Sequence, residues 1–313
     1  MKRFSLEWKK VAPLGKPNAT TFALFVLTAL TLLAHLPISF FDTHRNLNIA
    51  PRPRIFTYFE DYKTDPKSEA FYGDKTLIAY WQAAWKDAGW EPIVLNEKVA
   101  EAHPDYEVLK SILTDEECVG EYDMACVKRW IAMANVGGGY MSDNDFFPIV
   151  SNNHMPRELA NGGNLTVYGI FVPALVSGTA NEYRRVAEEI LKIMEEYTEA
   201  HRNGETRFAN KCGSDMLSLS EMYKKNQIVG VQKSNQCVKD LEISNNYVWT
   251  PEECRLCKEA WGAHISHSTM KQNNIPIRLR GPVAYGFVDS YKKQCVKEQI
   301  SLDYGQMQKK TTT

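Results

Sequence analysis

Residues 129–148 read RWIAMANVGGGYMSDNDFFP, and the order of elements in that stretch decides how the rest of the chain is read. Upstream, Val127, Trp130, Ile131 and Ala134 recur at helical spacing, so Met124–Val136 is expected to be a helix with one apolar side. The glycine run Gly137-Gly138-Gly139 ends it. Tyr140-Met141-Ser142 then extends as a strand, and two carboxylates, Asp143 and Asp145, follow one residue apart. Acids at the end of a strand lie at the C-terminal edge, where open α/β sheets bind their ligands.

Working outward, the neighbouring segments repeat the alternation. Arg54–Phe59 is β-prone, Thr76–Ala88 carries Leu77, Ile78, Trp81, Ala84, Trp85 and Ala88 on one helical face, Gly89 stops that helix, and Pro92–Leu95 is a second strand. Strand, helix, strand predicts parallel pairing. Thr166–Val172 is β-rich. Asn181–Glu199 is a strongly amphipathic helix with Asn181 as its expected N-cap, and Gly204 marks its end. Short strands are expected near Ile228–Val231 and Val283–Phe287. Trp81, Trp85 and Trp90 are expected in the core.

The chain has 313 residues, 44% hydrophobic and 24% charged, with a net charge of -1. That is globular composition, and its near-neutrality leaves no electrostatic footprint for nucleic acid. Thr20–Phe41 contains no Asp, Glu, Lys or Arg and follows a basic segment holding Lys2, Arg3, Lys9, Lys10 and Lys16. Its length suits a membrane span of about 20 residues, and the positive-inside rule keeps residues 1–19 cytoplasmic. A cleaved signal peptide is the rival, but its apolar part is shorter, about 7–15 residues, and ends in small residues rather than Phe40-Phe41. The expected organisation is therefore a tail (1–19), a signal anchor (20–41), a stem (42–53), one domain (54–300) and a polar C-terminal tail (301–313). Seven cysteines facing an oxidising lumen should pair in part, with at least one left over. Cys254 and Cys257 form a CxxC without the second pair a zinc ribbon needs, so a disulfide, local or longer, is the better reading. Asn164-Leu165-Thr166 is a glycosylation sequon in the same region.

The acid pair suits a hard divalent cation such as Mn²⁺ or Mg²⁺, which takes oxygen ligands and bridges to phosphate oxygens. Such an ion stabilises charge building on a departing diphosphate. Glycine, Gly138 in particular, lets the backbone approach a ligand closely. An EF-hand loop is excluded, because Pro148 stands at the sixth position where that loop needs glycine.

A bare Asp-x-Asp is weak, but its setting is specific. Arg129 on a helix, then Gly-Gly-x-Tyr, then Asp143-Asn144-Asp145, then proline, resembles the glycosyltransferases that carry a DXD sugar-binding region. These include fungal initiating α-1,6-mannosyltransferases and glycolipid α-1,4-galactosyltransferases. The resemblance extends to Arg54–Phe59, to Gly89-Trp90-Glu91, to the Leu175–Glu182 segment, to Cys212–Leu217 and to Ala263–Ser268. It implies a GT-A-like, Rossmann-type mixed α/β sheet flanked by helices and preceded by one transmembrane helix. It also implies Golgi localisation as a single-pass type II protein with a lumenal domain. The implied activity is transfer, with retention, from a UDP- or GDP-sugar to a glycan, glycolipid or glycoprotein, with Mn²⁺ as the expected ion. Residue by residue, it implies Asp143, Asp145 and His264 as metal ligands, with His267 as the fallback. Asp143 is also a candidate for the ribose, Arg129 for the phosphates or motif carboxylates, and Thr57 and Tyr58 for the nucleotide base. Asp215 becomes an acceptor contact or base, unless it is a helix N-cap. Where that family has Ser-Asp ahead of the arginine, this chain has Ala125-Cys126. That departure keeps open a non-catalytic lumenal binder of glycan or nucleotide; a second rival is a metal-dependent nucleotide-diphosphate hydrolase, which phosphate release without a sugar product would reveal.

Overall fold

Alternate residues of a strand face opposite sides of its sheet, and in this protein both sides are apolar. Ile55, Tyr140 and Leu175 enter one core, while their chain neighbours Phe56, Met141 and Val176 enter another. Such strands need helices on both faces. The computed structural model describes residues 51–60, 69–114, 121–149, 158–169, 172–205, 214–230, 248–257 and 260–296. Arg52–Thr313 fall in one compact unit.

The chain runs β1 (Arg54–Tyr58), α1 (Glu69–Asp87), β2 (Glu91–Leu95), α2 (Glu97–Glu101), α3 (Tyr106–Thr114), α4 (Glu121–Asn135), β3 (Gly138–Ser142) and β4 (Phe146–Pro148). It continues through β5 (Thr166–Val167), β6 (Leu175–Thr179), α5 (Ala180–Arg202), α6 (Asp215–Lys224), β7 (Val229–Gly230), α7 (Pro251–Cys257), β8 (Gly262–His264), α8 (His267–Gln272) and α9 (Arg280–Tyr291). Six strands form a sheet in the order β2-β1-β3-β6-β5-β7, and β4 and β8 form a separate antiparallel pair. β1 is parallel to both β2 and β3, whereas β6 runs antiparallel to β3 and β5. This is the mixed, helix-flanked α/β sheet that the sequence predicts.

α1 lays Leu77, Trp81, Ala84 and Trp85 against one face, where α9 also packs. On the other face α4 and α5 contribute Val127, Trp130, Ile131, Tyr183, Val186 and Ile190. Trp81, Trp85 and Trp90 are all buried. Gly89 takes φ 88°, which glycine adopts without strain, and so turns the chain from α1 into β2. At Gly138 (φ 79°) a Cβ would stand 2.6 Å from the Gly178 carbonyl oxygen and the Ala180 nitrogen. That glycine therefore serves the close approach of β3 to the β6–α5 junction.

Three local expectations shift. Thr179, not Asn181, caps α5, its side chain accepting from the Glu182 amide, because the helix begins earlier at Ala180. Val283–Phe287 is not a strand. It lies inside α9, whose buried Ala284, Phe287, Val288 and Tyr291 have helical spacing. Of the Thr166–Val172 stretch, the strand among the described residues is Thr166–Val167, and the Tyr168 amide still donates to the Leu175 carbonyl. Thr20–Phe41 lies outside the described residues, and among those described no helix is long and apolar enough to cross a membrane. A disulfide joins Cys254 on α7 to Cys295 beyond α9, so the CxxC does not close on itself and Cys257 stays a free, buried thiol.

Candidate metal centre

The turn that carries the acid pair is held at both ends by one helix. Trp81 Nε1 donates to Ser142 Oγ at 3.0 Å, just before the turn. Trp85 Nε1, one helical turn on, donates to the Phe146 carbonyl at 3.3 Å, just after it. Within the turn the Phe146 amide donates to the Asp143 carbonyl (3.1 Å), and the Asp143 amide donates to Ala174 on the far side (2.9 Å). β4 then leaves the turn and pairs with β8, setting Phe146 opposite His264. The Ile265 amide donates to the Asp145 carbonyl at 2.8 Å, which completes the link.

This pairing brings Asp143, Asp145 and His264 together. One donor atom from each lies within 4.8 Å of the others. His264 Nε2 is 3.1 Å from Asp145 Oδ1, yet that oxygen is buried without a hydrogen-bond partner. A carboxylate oxygen and an imidazole nitrogen this close pair directly when the histidine is protonated, and they are also donor types that a divalent transition ion takes. Two ligands on one ion with bonds of about 2.1 Å stand at most about 4.2 Å apart, so the three donors need to close by a fraction of an ångström. Among the described residues, Asp143 and Asp215 share Arg129, while Arg280 faces both Asp145 and Asp74.

Each acid faces its own arginine, Arg129 partly buried and Arg280 buried. Arg129, on α4, donates from Nη1 to Asp143 Oδ1 at 2.5 Å and from Nη2 to Asp215 Oδ2. Asp215 is 3% exposed and also accepts from Trp130 Nε1 at 3.3 Å. Ser214, not Asp215, is the N-cap of α6. Asp215 thus neutralises Arg129 from the interior instead of facing solvent, as an acceptor-binding base would. Arg280, at the start of α9, reaches Asp145 Oδ2 at 3.2 Å. Sequence reasoning missed Arg280, for which no local motif exists. Only the packing of α9 against α1 and β4 brings it in.

The electrostatics separate the two acids. Burial pushes Asp143 up, and Arg129 offsets this only in part. Burial pushes Asp145 up as well, but His264 and then Arg280 outweigh it and hold its carboxyl well below the usual range. His264 resists the lowering effect of burial because Asp145 faces it, and its pKa ends above the ordinary histidine value. His267 opens α8 and is 54% exposed, with Nε2 3.6 Å from Asp74 Oδ1; it stands outside the three-residue group. His264 ends a strand and His267 starts a helix, so neither a shared helical face nor strand alternation relates them.

The sheet order makes this edge a switch point. From β1 the chain steps to β2 on one side, then crosses to β3 on the other. In open α/β sheets ligands bind outside the C-terminal ends of strands at such a crossing. Thr57 and Tyr58 end β1 at the edge shared with Asp143. Thr57 is fully buried, its hydroxyl without a hydrogen-bond partner, and Tyr58 donates to Glu60. Lys128 bridges Glu60 and Glu97 beside them.

Fold and site together define a mixed α/β protein with an Asp-Asp-His group at its sheet's switch point. The chain belongs to the family described as Domain of unknown function (DUF8765), whose model matches residues 42–240. The matched span holds Asp143, Asp145, Arg129 and Asp215 but ends before His264 and Arg280. No curated protein matches the chain. Among solved structures, a chain titled PaToxG Glycosyltransferase is 9% identical with a TM-score of 0.28, covering 76% of this chain and 86% of that one.

Proposed function

We propose that the protein is a metal-dependent glycosyltransferase, moving a sugar from a nucleotide-sugar donor to a glycan, glycolipid or glycoprotein acceptor. The observation that carries this reading is the Asp143–Asp145–His264 group, its three donor atoms within 4.8 Å of one another, at the C-terminal edge of β3. Mn²⁺ or Mg²⁺, held there by these three side chains, would supply positive charge to a departing diphosphate. The chain's own residues do the rest. Arg129 and Arg280 fix the two carboxylates, Trp81 and Trp85 hold the turn, and Tyr58, next to the fully buried Thr57, offers the neighbouring edge for a nucleoside. Retention of configuration, and a Golgi lumenal domain anchored through Thr20–Phe41, complete the proposal on the strength of the sequence resemblance.

The test is calorimetric titration of the full chain with UDP and with GDP, with and without Mn²⁺, beside an Asp143→Ala/Asp145→Ala variant. Metal-dependent binding of one nucleotide, lost in the variant, supports the reading and identifies the donor class. A folded protein that binds neither nucleotide overturns it. The burial of Asp215 favours a second reading, a nucleotide binder without turnover. Metal-dependent binding with neither transfer to any acceptor nor hydrolysis would select it.

A further inference from the structure

Arg280 sits where a positive charge is costly for a cation site. It is 4% exposed, its Nη2 is 3.2 Å from Asp145 Oδ2 and 3.9 Å from Asp74 Oδ1, and its Nε is buried without a hydrogen-bond partner. Placed there, the guanidinium repels any ion that Asp145 attracts. It also divides the carboxylate: Oδ2 faces Arg280, and Oδ1 faces His264. Arg129 treats Asp143 in the same way, taking Oδ1 and leaving the other oxygen.

A carboxylate oxygen that faces a guanidinium has one lone pair and part of its charge committed, so ligation through the other oxygen is favoured. That matters differently to different ions. Ca²⁺ takes six to eight oxygens at about 2.3–2.6 Å and gains from bidentate carboxylates, whereas Mg²⁺ is octahedral at about 2.0–2.1 Å and keeps waters. Imidazole in the donor set also favours transition ions over Ca²⁺.

We propose that Arg280 is a specificity-determining positioning residue: by pairing with Asp145 Oδ2 it favours monodentate ligation by Asp145 through Oδ1 and makes the site prefer Mg²⁺ or Mn²⁺ over Ca²⁺. This rests on the reading that Asp143, Asp145 and His264 hold a divalent cation. It goes further in assigning the ion selectivity to a residue that touches no metal.

The experiment measures Mn²⁺ and Ca²⁺ dissociation constants by calorimetry on the full chain, for wild type, Arg280→Met and Arg280→Lys. Removing a charge changes the affinity for both divalent ions alike, and so does loosening the structure. The Mn²⁺-over-Ca²⁺ ratio therefore isolates denticity. We expect the ratio to fall on the order of tenfold in Arg280→Met, the scale on which partners behind a ligand tune metal sites. It should fall as well in Arg280→Lys, whose ammonium keeps the charge but lacks the planar fork. If Arg280→Met does not fold by circular dichroism, the lysine variant decides. An unchanged ratio in the folded variants overturns the proposal and leaves the metal site standing. Wild-type protein that binds neither ion overturns both.

Discussion

Replacing Arg129 with methionine removes one charge and keeps most of the apolar stem that the arginine packs. The side chain is 12% exposed and serves two carboxylates, Asp143 at 22% and Asp215 at 3%. The exposed share of the Asp143 pair is worth little, since solvated ion pairs contribute about 0–1 kcal/mol. The Asp215 pair is different. Breaking a buried pair by deleting one partner costs about 3–5 kcal/mol, because the other charge is left in the interior. The whole effect is therefore about 4 kcal/mol at pH 7, a large part of a typical stability of about 5–15 kcal/mol. Urea unfolding of the full chain measures it, and Arg129→Met/Asp215→Asn closes the cycle. The double variant should recover at least half of the loss, since no uncompensated carboxylate then remains beside Trp130. The small Asp143 share of the loss should shrink on acidification, because Arg129 is the main influence lowering Asp143 and without it that carboxyl protonates more readily. A loss below about 1 kcal/mol, or no coupling between the two positions, would show that the Arg129 pairs behave as surface pairs and refute the argument.

Three further outcomes are expected. Gly138→Ala places a methyl 2.6 Å from backbone atoms of β6 and α5 at a φ of 79°, so it should destabilise by more than about 1 kcal/mol in the same unfolding assay; a neutral substitution would mean that β3 and β6 are not so closely apposed. His264 has a folded pKa above 6.5, so its contribution to the stability of chelator-treated protein is complete below pH 6.5 and is lost as pH rises through the folded value. His264→Asn should abolish that part of the difference between pH 6 and pH 8, and equal slopes in the two proteins would contradict it. Added Mn²⁺ should reverse the sign, because a ligating imidazole must be neutral. Cys254 and Cys295 close a loop of 41 residues, so reduction or Cys254→Ser should cost about 2–4 kcal/mol, read as a shift of the urea midpoint; an unmoved midpoint would dismiss the bridge as a stabilising element.

The sequence by itself determined the local half of this protein. Helical spacing in α4, the glycines after it and the paired acids after β3 are all encoded within twenty consecutive residues. Backbone geometry and side-chain periodicity act over that same range. The tryptophans of α1 announced their burial by the same means. Less was legible where two local answers compete. Asn181 and Thr179 are both good caps, and only the backbone pairing of β6 up to Thr179 settles where α5 begins. Val283–Phe287 has strand-like composition, yet burial of every third and fourth residue against α1 makes it helix.

The resemblance already pointed to His264, but only tertiary structure brings it beside the acids and adds Arg280. His264 joins the acids because β8 pairs with β4, and Arg280 joins because α9 docks on α1. Asp215 meets Arg129 across 86 residues and so becomes an internal counter-ion where the sequence allowed a base. Contacts of this kind leave no periodic trace. Chain folding repays them only through burial, and a lone His, Arg or Asp looks the same in sequence whether it faces water or a buried partner.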